Sequence, residues 1–319
     1  MSMEKLVCVL WTDDAGAYRE ALSRAGLAER FELHDLKRSE AIPDDLAART
    51  QVLAAWRAGS FLQRMPRLQW IQAMTSGVEA WLANPGLRDQ VVISCARGSH
   101  RQSMAENILG ALFHLTKPYA AIALDQRESR WRQRRSIPLA RKTLGILGLG
   151  TIGRELAHKA AALEMRVIGC KHSAEPVADV ERVYGPEEMN EVLGQSDYVV
   201  LLLPVTPRTE NLMNESRLRA MKPGAWLLNF GRGALIADAD LIAAVRSKTI
   251  AGAVLDVFRE EPLPGSHPFW GTEGILVLPH IGGGHSERGA RVAEIFAANA
   301  QHFLSGKPLV TLVDRARGY

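Results

Sequence analysis

Three segments of this 319-residue chain carry side chains that can hold anions and move protons. Asn229-Phe-Gly-Arg-Gly233 offers a guanidinium at Arg232. Asp256-Val-Phe-Arg-Glu-Glu-Pro-Leu-Pro264 offers a carboxylate at Glu261, and Leu278-Pro-His-Ile-Gly-Gly-Gly284 an imidazole at His280. The planar fork of Arg232 can hold a carboxylate and polarise the carbonyl beside it. His280 can give that carbonyl oxygen a proton as hydride arrives, and take it back in reverse. Glu261 can hydrogen-bond the imidazole, fix its orientation and raise its pKa, which keeps the acid form available near neutrality. The set is sufficient to reduce a 2-keto acid. Each residue alone has an ordinary reading: a cap, a turn, a loop histidine. Three at successive strand ends are hard to explain separately.

A hydride donor has its own pattern in the chain. Gly148-Leu-Gly-Thr-Ile-Gly153 is GxGxxG, placed between an apolar strand (Leu144–Leu147) and a helix with Ala- and Leu-rich spacing. Gly148 permits the tight turn, Gly150 lets the backbone approach a pyrophosphate, and Gly153 lets the helix pack close to the strand. Thr151 and Ile152 open the helix, whose free N–H groups face the anion. About 20 residues on, an NAD-binder usually carries an acid for the ribose hydroxyls. Here Cys170-Lys171-His172-Ser173 stands at that place, with no carboxylate before Glu175. Lys171 would attract a 2′-phosphate and Ser173 would hydrogen-bond it, so the sequence leans to NADP(H). If Lys171 and His172 are solvated loop residues, the cofactor is NAD.

Alternating strands and helices must position these residues. Strands are expected at Leu6–Trp11, Phe31–Leu36, Gln51–Trp56, Leu68–Met74 and Val91–Cys95, with a helix at Ala15–Ala28. A second set is expected at Thr143–Leu147, Arg166–Cys170, Tyr198–Leu203, Ala225–Asn229, Ala251–Val257 and Ile275–Leu278. Its helices fit Ile152–Leu163, Pro186–Leu193, Glu215–Ala220 and Ala237–Arg246. Longer helices fit Gln102–Thr116, closed by Pro118, and Glu287–Leu304. Short, nearly all-apolar strands with helical crossovers imply an α/β chain of two parallel sheets covered on both faces. The length suits two domains.

Composition narrows the class further. The chain is 47% hydrophobic and 23% charged, which are globular values. No apolar run approaches the ~20 residues of a membrane helix. The start, MSMEKLVCVLW, has no signal-peptide pattern, so a cytoplasmic protein is expected. Cys8, Cys95 and Cys170 are widely spaced, which speaks for a reducing compartment and against a metal site. The net charge is +4. Between Arg127 and Lys142 stand seven basic residues and one acid, Glu128, so the excess is local. That segment reads as a solvated or interface arm, or as a patch that concentrates anionic cofactor and substrate. Nothing else supports nucleic-acid binding.

With these motifs in place, the chain resembles the D-isomer-specific 2-hydroxyacid dehydrogenases. GLGTIG, LLLPVTPRTENLMN, NFGRG, LDVFREEPLP and LPHIGG carry the resemblance, which runs from the SGVE segment at Ser76 to the terminal VDRARGY. The family's Arg, Glu and His fall on Arg232, Glu261 and His280. The resemblance implies two Rossmann-like lobes, a flavodoxin-like substrate domain (residues 1–100 and 284–319) with an inserted NAD(P)-binding Rossmann domain (101–283). It implies that Leu203, Pro204, Thr209, Phe230 and Asp256 line the nicotinamide side, with Gly231, Gly282 and Gly283 beside them. It also implies that N–H groups of Ser76, Gly77 and Val78 bind the substrate carboxylate. Trp56-Arg57 matches an aromatic-basic pair found in glyoxylate and hydroxypyruvate reductases, which implies a small polar 2-keto acid. A homodimer is implied too. Glu rather than Gln at 261 disfavours the formate dehydrogenase branch. The region after the catalytic His departs from the family, with Gly284-His285 where a Thr or small residue is usual. An NAD-linked dehydrogenase of another D-2-hydroxy acid is the alternative. A nucleotide-sensing corepressor is a lesser one, because the Arg, Glu and His set is complete.

Overall fold

Runs such as LVCVLW and TLGIL are apolar on both faces, and only a parallel sheet covered on both sides buries them. The computed structural model describes residues 4–316 and 318 and has two such sheets. One lies in the unit formed by Met1–Ser99 and His285–Tyr319, the other in the unit His100–Gly284.

The first unit holds β1 (Leu6–Trp11), β2 (Phe31–Leu36), β3 (Val52–Ala55), β4 (Trp70–Ala73) and β5 (Val92–Ser94), all parallel, in the order β2-β1-β3-β4-β5. This is the flavodoxin-like order, and it switches direction between β1 and β3. The helix Arg288–Leu304 returns from the far end of the chain and packs on this sheet. Its Phe296 stacks on Trp70 with ring centroids 5.1 Å apart. Its buried Asn299 donates to Gln72 Oε1 and Thr311 Oγ1, both at 2.9 Å, so no polar group in that contact is left unsatisfied.

The second unit holds β6 (Thr143–Leu147), β7 (Arg166–Cys170), β8 (Arg182–Tyr184), β9 (Tyr198–Leu201), β10 (Trp226–Asn229), β11 (Gly252–Leu255) and β12 (Ile275–Val277). All pairs are parallel, in the order β12-β11-β10-β9-β6-β7-β8. That is the dinucleotide-binding order with one further edge strand, and its switch point lies between β6 and β9. The loops after β6, β9, β10, β11 and β12 all leave from the same edge of the sheet.

Most expected elements are present, with shorter ends where the backbone leaves the ladder. The helix expected to reach Ala28 stops at Arg24, because Gly26 takes a left-handed φ of +69°. The expected helix Pro186–Leu193 is a 3₁₀ turn, Pro186–Glu188, followed by a helix Met189–Gln195. Pro118 closes one helix and also caps another, Tyr119–Arg127, which was not expected. Strand β8 was missed as well; three residues at a sheet edge leave almost no periodicity to read. Asp44–Arg49 and Glu79–Leu82 are short unexpected helices. Among the described residues no helix is long and apolar enough to cross a membrane.

Candidate active site

The glycine turn is forced by close backbone packing at the switch point. Gly148 has φ +115°, and a Cβ there would lie 2.8 Å from the carbonyl of Leu202, just past β9. A Cβ on Gly153 would lie 2.2 Å from the Gly148 oxygen. Gly150 differs, since a Cβ there would meet nothing within 4 Å. The helix Thr151–Ala162 starts at Gly150 with no side-chain cap. Open space beside Gly150 and first-turn amides without a side-chain acceptor fit a pyrophosphate, which accepts from such amides.

Lys171 and Ser173 stand just after β7, as the sequence indicates, but both face Glu175. Lys171 Nζ is 3.6 Å from its carboxylate, and Ser173 Oγ donates to it at 3.3 Å. A carboxylate, absent at the strand end itself, thus faces Lys171 from two residues past Ser173. Lys171 is largely covered while Glu175 is exposed. Thr209 Oγ1 donates to the Pro204 carbonyl at 2.7 Å and accepts from Thr206 N at 2.8 Å, so its hydroxyl shapes the loop after β9. Phe230 is buried in the core that also holds Met104. A Cβ on Gly231 would press on Leu235 and on the Leu203 carbonyl.

Arg232 follows β10 in a loop built by a residue that sequence reasoning gave no role. Asn229 is fully buried; its Oδ1 accepts from Gly231 N at 3.1 Å and its Nδ2 donates to the Arg232 carbonyl at 2.9 Å. The loop thus leaves the strand in a side-chain-bridged turn. An Asn at a strand end ahead of Gly-Arg-Gly was the available clue.

His280 and Glu261 meet. His280 Nδ1 lies 2.5 Å from Glu261 Oε2, and Glu261 Oε1 accepts from Phe258 N at 2.9 Å. Both carboxylate oxygens are therefore placed, and the imidazole is oriented by a group that is itself anchored. His280 has φ +52°, a region that costs a non-glycine residue on the order of 1–3 kcal/mol.

The surroundings over-determine that backbone. Asp256, wholly buried after β11, accepts from Ile281 N at 2.8 Å and from Gly282 N at 2.9 Å. Burial pushes the Asp256 carboxyl above the usual carboxylate range, and the Gly282 and Ile281 amides pull it part of the way back. Asn107, on the helix Arg101–Thr116, donates to the carbonyls of Ile281 and Gly282 at 3.3 and 2.9 Å. A Cβ on Gly282 would lie 2.6 Å from both Asp256 Oδ2 and Met104 Sδ, so only glycine fits. Gly283 sits against His100. Asp256 was expected beside the nicotinamide; its carboxylate oxygens are committed to the turn that carries His280.

In the first unit, Trp56 and Arg57 follow β3. Trp56 Nε1 donates to Thr12 Oγ1 at 3.4 Å, and the Arg288 guanidinium lies 4.4 Å from the Trp56 ring centroid. Arg57 lies 5.3 Å from the Trp11 ring centroid. Trp11, Asp13, Arg38, Ser39, Trp56 and Arg57 line a cavity of about 430 Å³ at the switch point of that sheet. Ser76 Oγ donates to the Ala96 carbonyl at 3.1 Å, Thr75 Oγ1 to the Gly77 carbonyl at 2.7 Å, and Val78 is buried. The Ser76–Val78 side chains thus serve the loop, and any ligand contact there falls to the backbone.

In the basic arm, Arg132 and Arg134 pair with the buried Asp125 at 3.5 and 2.7 Å, and Arg130 pairs with Glu128. The local charge is therefore partly neutralised. Cys8, Cys95 and Cys170 are buried free thiols, and burial pushes Cys170 up to about 11.

Known proteins bear on this arrangement. Residues 109–282 match the family described as D-isomer specific 2-hydroxyacid dehydrogenase, NAD binding domain. A glyoxylate/hydroxypyruvate reductase A from Serratia proteamaculans is 30% identical over 271 residues, 83% of this chain and 86% of that protein. A D-isomer specific 2-hydroxyacid dehydrogenase family protein from Aeromonas salmonicida superposes with a TM-score of 0.88 at 32% identity, over 98% of this chain and all of that one (100%). An NADPH-dependent glyoxylate/hydroxypyruvate reductase from Sinorhizobium meliloti, solved with NADP and sulfate, superposes with a TM-score of 0.82 at 25% identity, over 99% and 100% of the two chains. With the glycine turn at the switch point and the Arg, Glu and His loops on the same sheet edge, this chain belongs to the D-isomer-specific 2-hydroxyacid dehydrogenase family of NAD(P)-dependent oxidoreductases.

Proposed function

We propose that the chain reduces a small 2-keto acid of the glyoxylate or hydroxypyruvate type to its D-2-hydroxy acid, with NADPH as the preferred donor. The observation that carries this reading is the 2.5 Å contact between His280 Nδ1 and an anchored Glu261. With Nδ1 engaged, Nε2 is the atom that hands a proton to the substrate oxygen. Arg232 binds the substrate carboxylate and polarises the neighbouring carbonyl. The turn Gly148–Gly153 holds the dinucleotide, which supplies hydride when bound. Lys171, His172 and Ser173 face its adenosine ribose, and Leu203, Pro204, Thr209 and Gly231 the nicotinamide. Asp256 acts by holding the turn of His280, Gly282 and Gly283. The unit His100–Gly284 is then the dinucleotide-binding domain. The other unit is the substrate domain, to which Trp56, Arg57 and the N–H groups of Ser76, Gly77 and Val78 contribute anion binding. The relatives named as glyoxylate/hydroxypyruvate reductases support the substrate class. Initial rates on a panel of 2-keto acids test it.

Glu175 favours a second reading, an NAD-linked dehydrogenase of another D-2-hydroxy acid, because its carboxylate already occupies Lys171. The two readings differ in one measurement. Replacing Lys171→Ala should raise KM for NADPH about tenfold, the worth of one charge-assisted hydrogen bond of ~1.5 kcal/mol, and leave KM for NADH unchanged. Wild-type preference for NADH would select the second reading.

The proposal includes a homodimer through the second unit. Trp131, Leu124 and Tyr119 are 94%, 61% and 73% exposed on the helix Tyr119–Arg127 and the arm after it. Large apolar side chains left this exposed within one short stretch of chain support an association surface there. Light scattering should give twice the chain mass for the wild type and a single chain mass for Leu124→Glu combined with Trp131→Glu. A wild-type monomer would end this part of the proposal.

A further inference from the structure

Three loops must keep a fixed spacing for the proposed reaction: the loop after β9 with Thr209, the loop after β10 with Arg232, and the loop after β11 with Glu261. Backbone pairing ties the first two to each other, since Met213 bridges Ile236 and Asn211 N donates to the Ala234 carbonyl at 2.8 Å, but it does not extend to the loop of Glu261. The β10–β11 ladder ends at Asn229 and Leu255, with one further bond from Asp256 N to the Asn229 carbonyl at 3.0 Å. Beyond it the loops of Arg232 and Glu261 touch backbone to backbone: a Cβ on Gly233 would lie 2.0 Å from the Phe258 carbonyl carbon and 2.4 Å from Arg259 N. Close approach alone sets a minimum distance, not a grip.

The grip that joins the loop of Glu261 to the other two comes from a side chain that neither the motifs nor the proton chemistry assigns. Arg259 Nη2 donates to the Ile236 carbonyl at 2.6 Å, to the Ala234 carbonyl at 3.3 Å and to Asn211 Oδ1. Its Nε lies 3.7 Å from Asp238 Oδ1, and its Nη1 3.7 Å from Glu210 Oε1. Ala234 belongs to the 3₁₀ turn Gly233–Leu235, directly after Arg232. Glu210 and Asn211 directly follow Thr209. Arg259 itself directly follows Phe258, whose N–H holds Glu261 Oε1 at 2.9 Å. One guanidinium therefore reaches all three loops.

We propose that Arg259 is a positioning residue that pins these three loops into one reactive arrangement. The proposal rests on the reaction read above for Arg232, Glu261 and His280. The chemistry asks for Arg at this place. Two carbonyls, an amide oxygen and two carboxylates lie around one planar fork of five donors, and a lysine ammonium presents its three donors from one point. Most of these acceptors are near the surface, where water can replace the lost partner, so loss of Arg259 loosens the loops more than it unfolds the unit.

Arg259→Gln and Arg259→Lys, made in the full chain, test the pin. Arg259→Gln is expected to lower kcat by roughly 10- to 100-fold, the scale set by displacements of about 1 Å at a reacting centre. Its kcat/KM profile against pH should be displaced from that of the wild type, because the Phe258 peptide that orients Glu261 is released. Arg259→Lys should restore part of both. A role in stability alone would lower Tm and leave kcat per folded site and the pH profile unchanged, and that result overturns the proposal. Hydrogen exchange needs no substrate. Arg259→Gln should speed exchange together in segments 206–213, 230–237 and 256–261, and leave β10 and β11 protected. Unchanged exchange there would remove the pin whatever the kinetics. A wild type inactive on every acid, with exchange altered as expected, would instead remove the reaction and keep the pin.

Discussion

Alanine in place of His280 is expected to lower kcat by about 10²–10⁴-fold, the range for a lost general acid. The expectation follows from how much structure is spent on this one side chain. Its Nδ1 is held at 2.5 Å by Glu261, its backbone sits at φ +52°, and Asp256 and Asn107 fix the turn that follows. A residue placed merely by packing would not need a strained backbone held on both sides. The variant must separate chemistry from strain, since alanine also resists a left-handed φ. His280→Asn does so, because asparagine tolerates that region and has no group able to deliver the proton. Both variants should bind NADPH as the wild type does and fail in turnover. Glu261→Gln should lose less than either, because a hydrogen bond to the imidazole remains while the charge is gone. Near-full activity in both His280 variants would contradict the assignment of the proton donor.

Replacing Arg232→Ala should reduce kcat/KM by on the order of 10²–10³, the cost of removing a donor aimed at developing negative charge. Both KM and kcat should suffer, since one guanidinium holds the carboxylate and polarises the carbonyl. Arg232→Lys should recover little. An ammonium keeps the charge but cannot present two parallel N–H groups to a carboxylate. The loop should largely survive either substitution, because Asn229 holds it through the Gly231 amide and the Arg232 carbonyl, and the Arg232 side chain adds one bond to the Gly231 carbonyl at 2.9 Å. A change confined to KM would mean that Arg232 binds substrate without acting on the transition state.

What the sequence made legible was local. GxGxxG, Arg232, Glu261 and His280 sit next to strand ends, where residue type and neighbouring glycines carry the meaning. Parallel sheets were legible because strands such as YVVL at Tyr198–Leu201 are buried on both faces. What stayed hidden depends on contacts between segments far apart in the chain. Asp256 meets the amides of Ile281 and Gly282, 25 and 26 positions away, and so looks from sequence like one more acid near the site. Arg259 reaches back to Ala234 and Ile236, 25 and 23 positions, and to Asn211, 48 positions. Glu175 lies only four residues from Lys171, but its pairing depends on how the chain turns after β7, which no periodicity describes. The helix after Pro118 was hidden by a residue that closes one helix and begins the next.

The most direct test is the initial rate of NADPH or NADH oxidation by the wild-type chain across a panel of 2-keto acids, with His280→Asn run beside it. Turnover of glyoxylate or hydroxypyruvate by the wild type, abolished in the variant, is the expected result. Oxidation of neither NADPH nor NADH with any acid of the panel, or equal rates in the two proteins, would contradict hydride transfer assisted by His280.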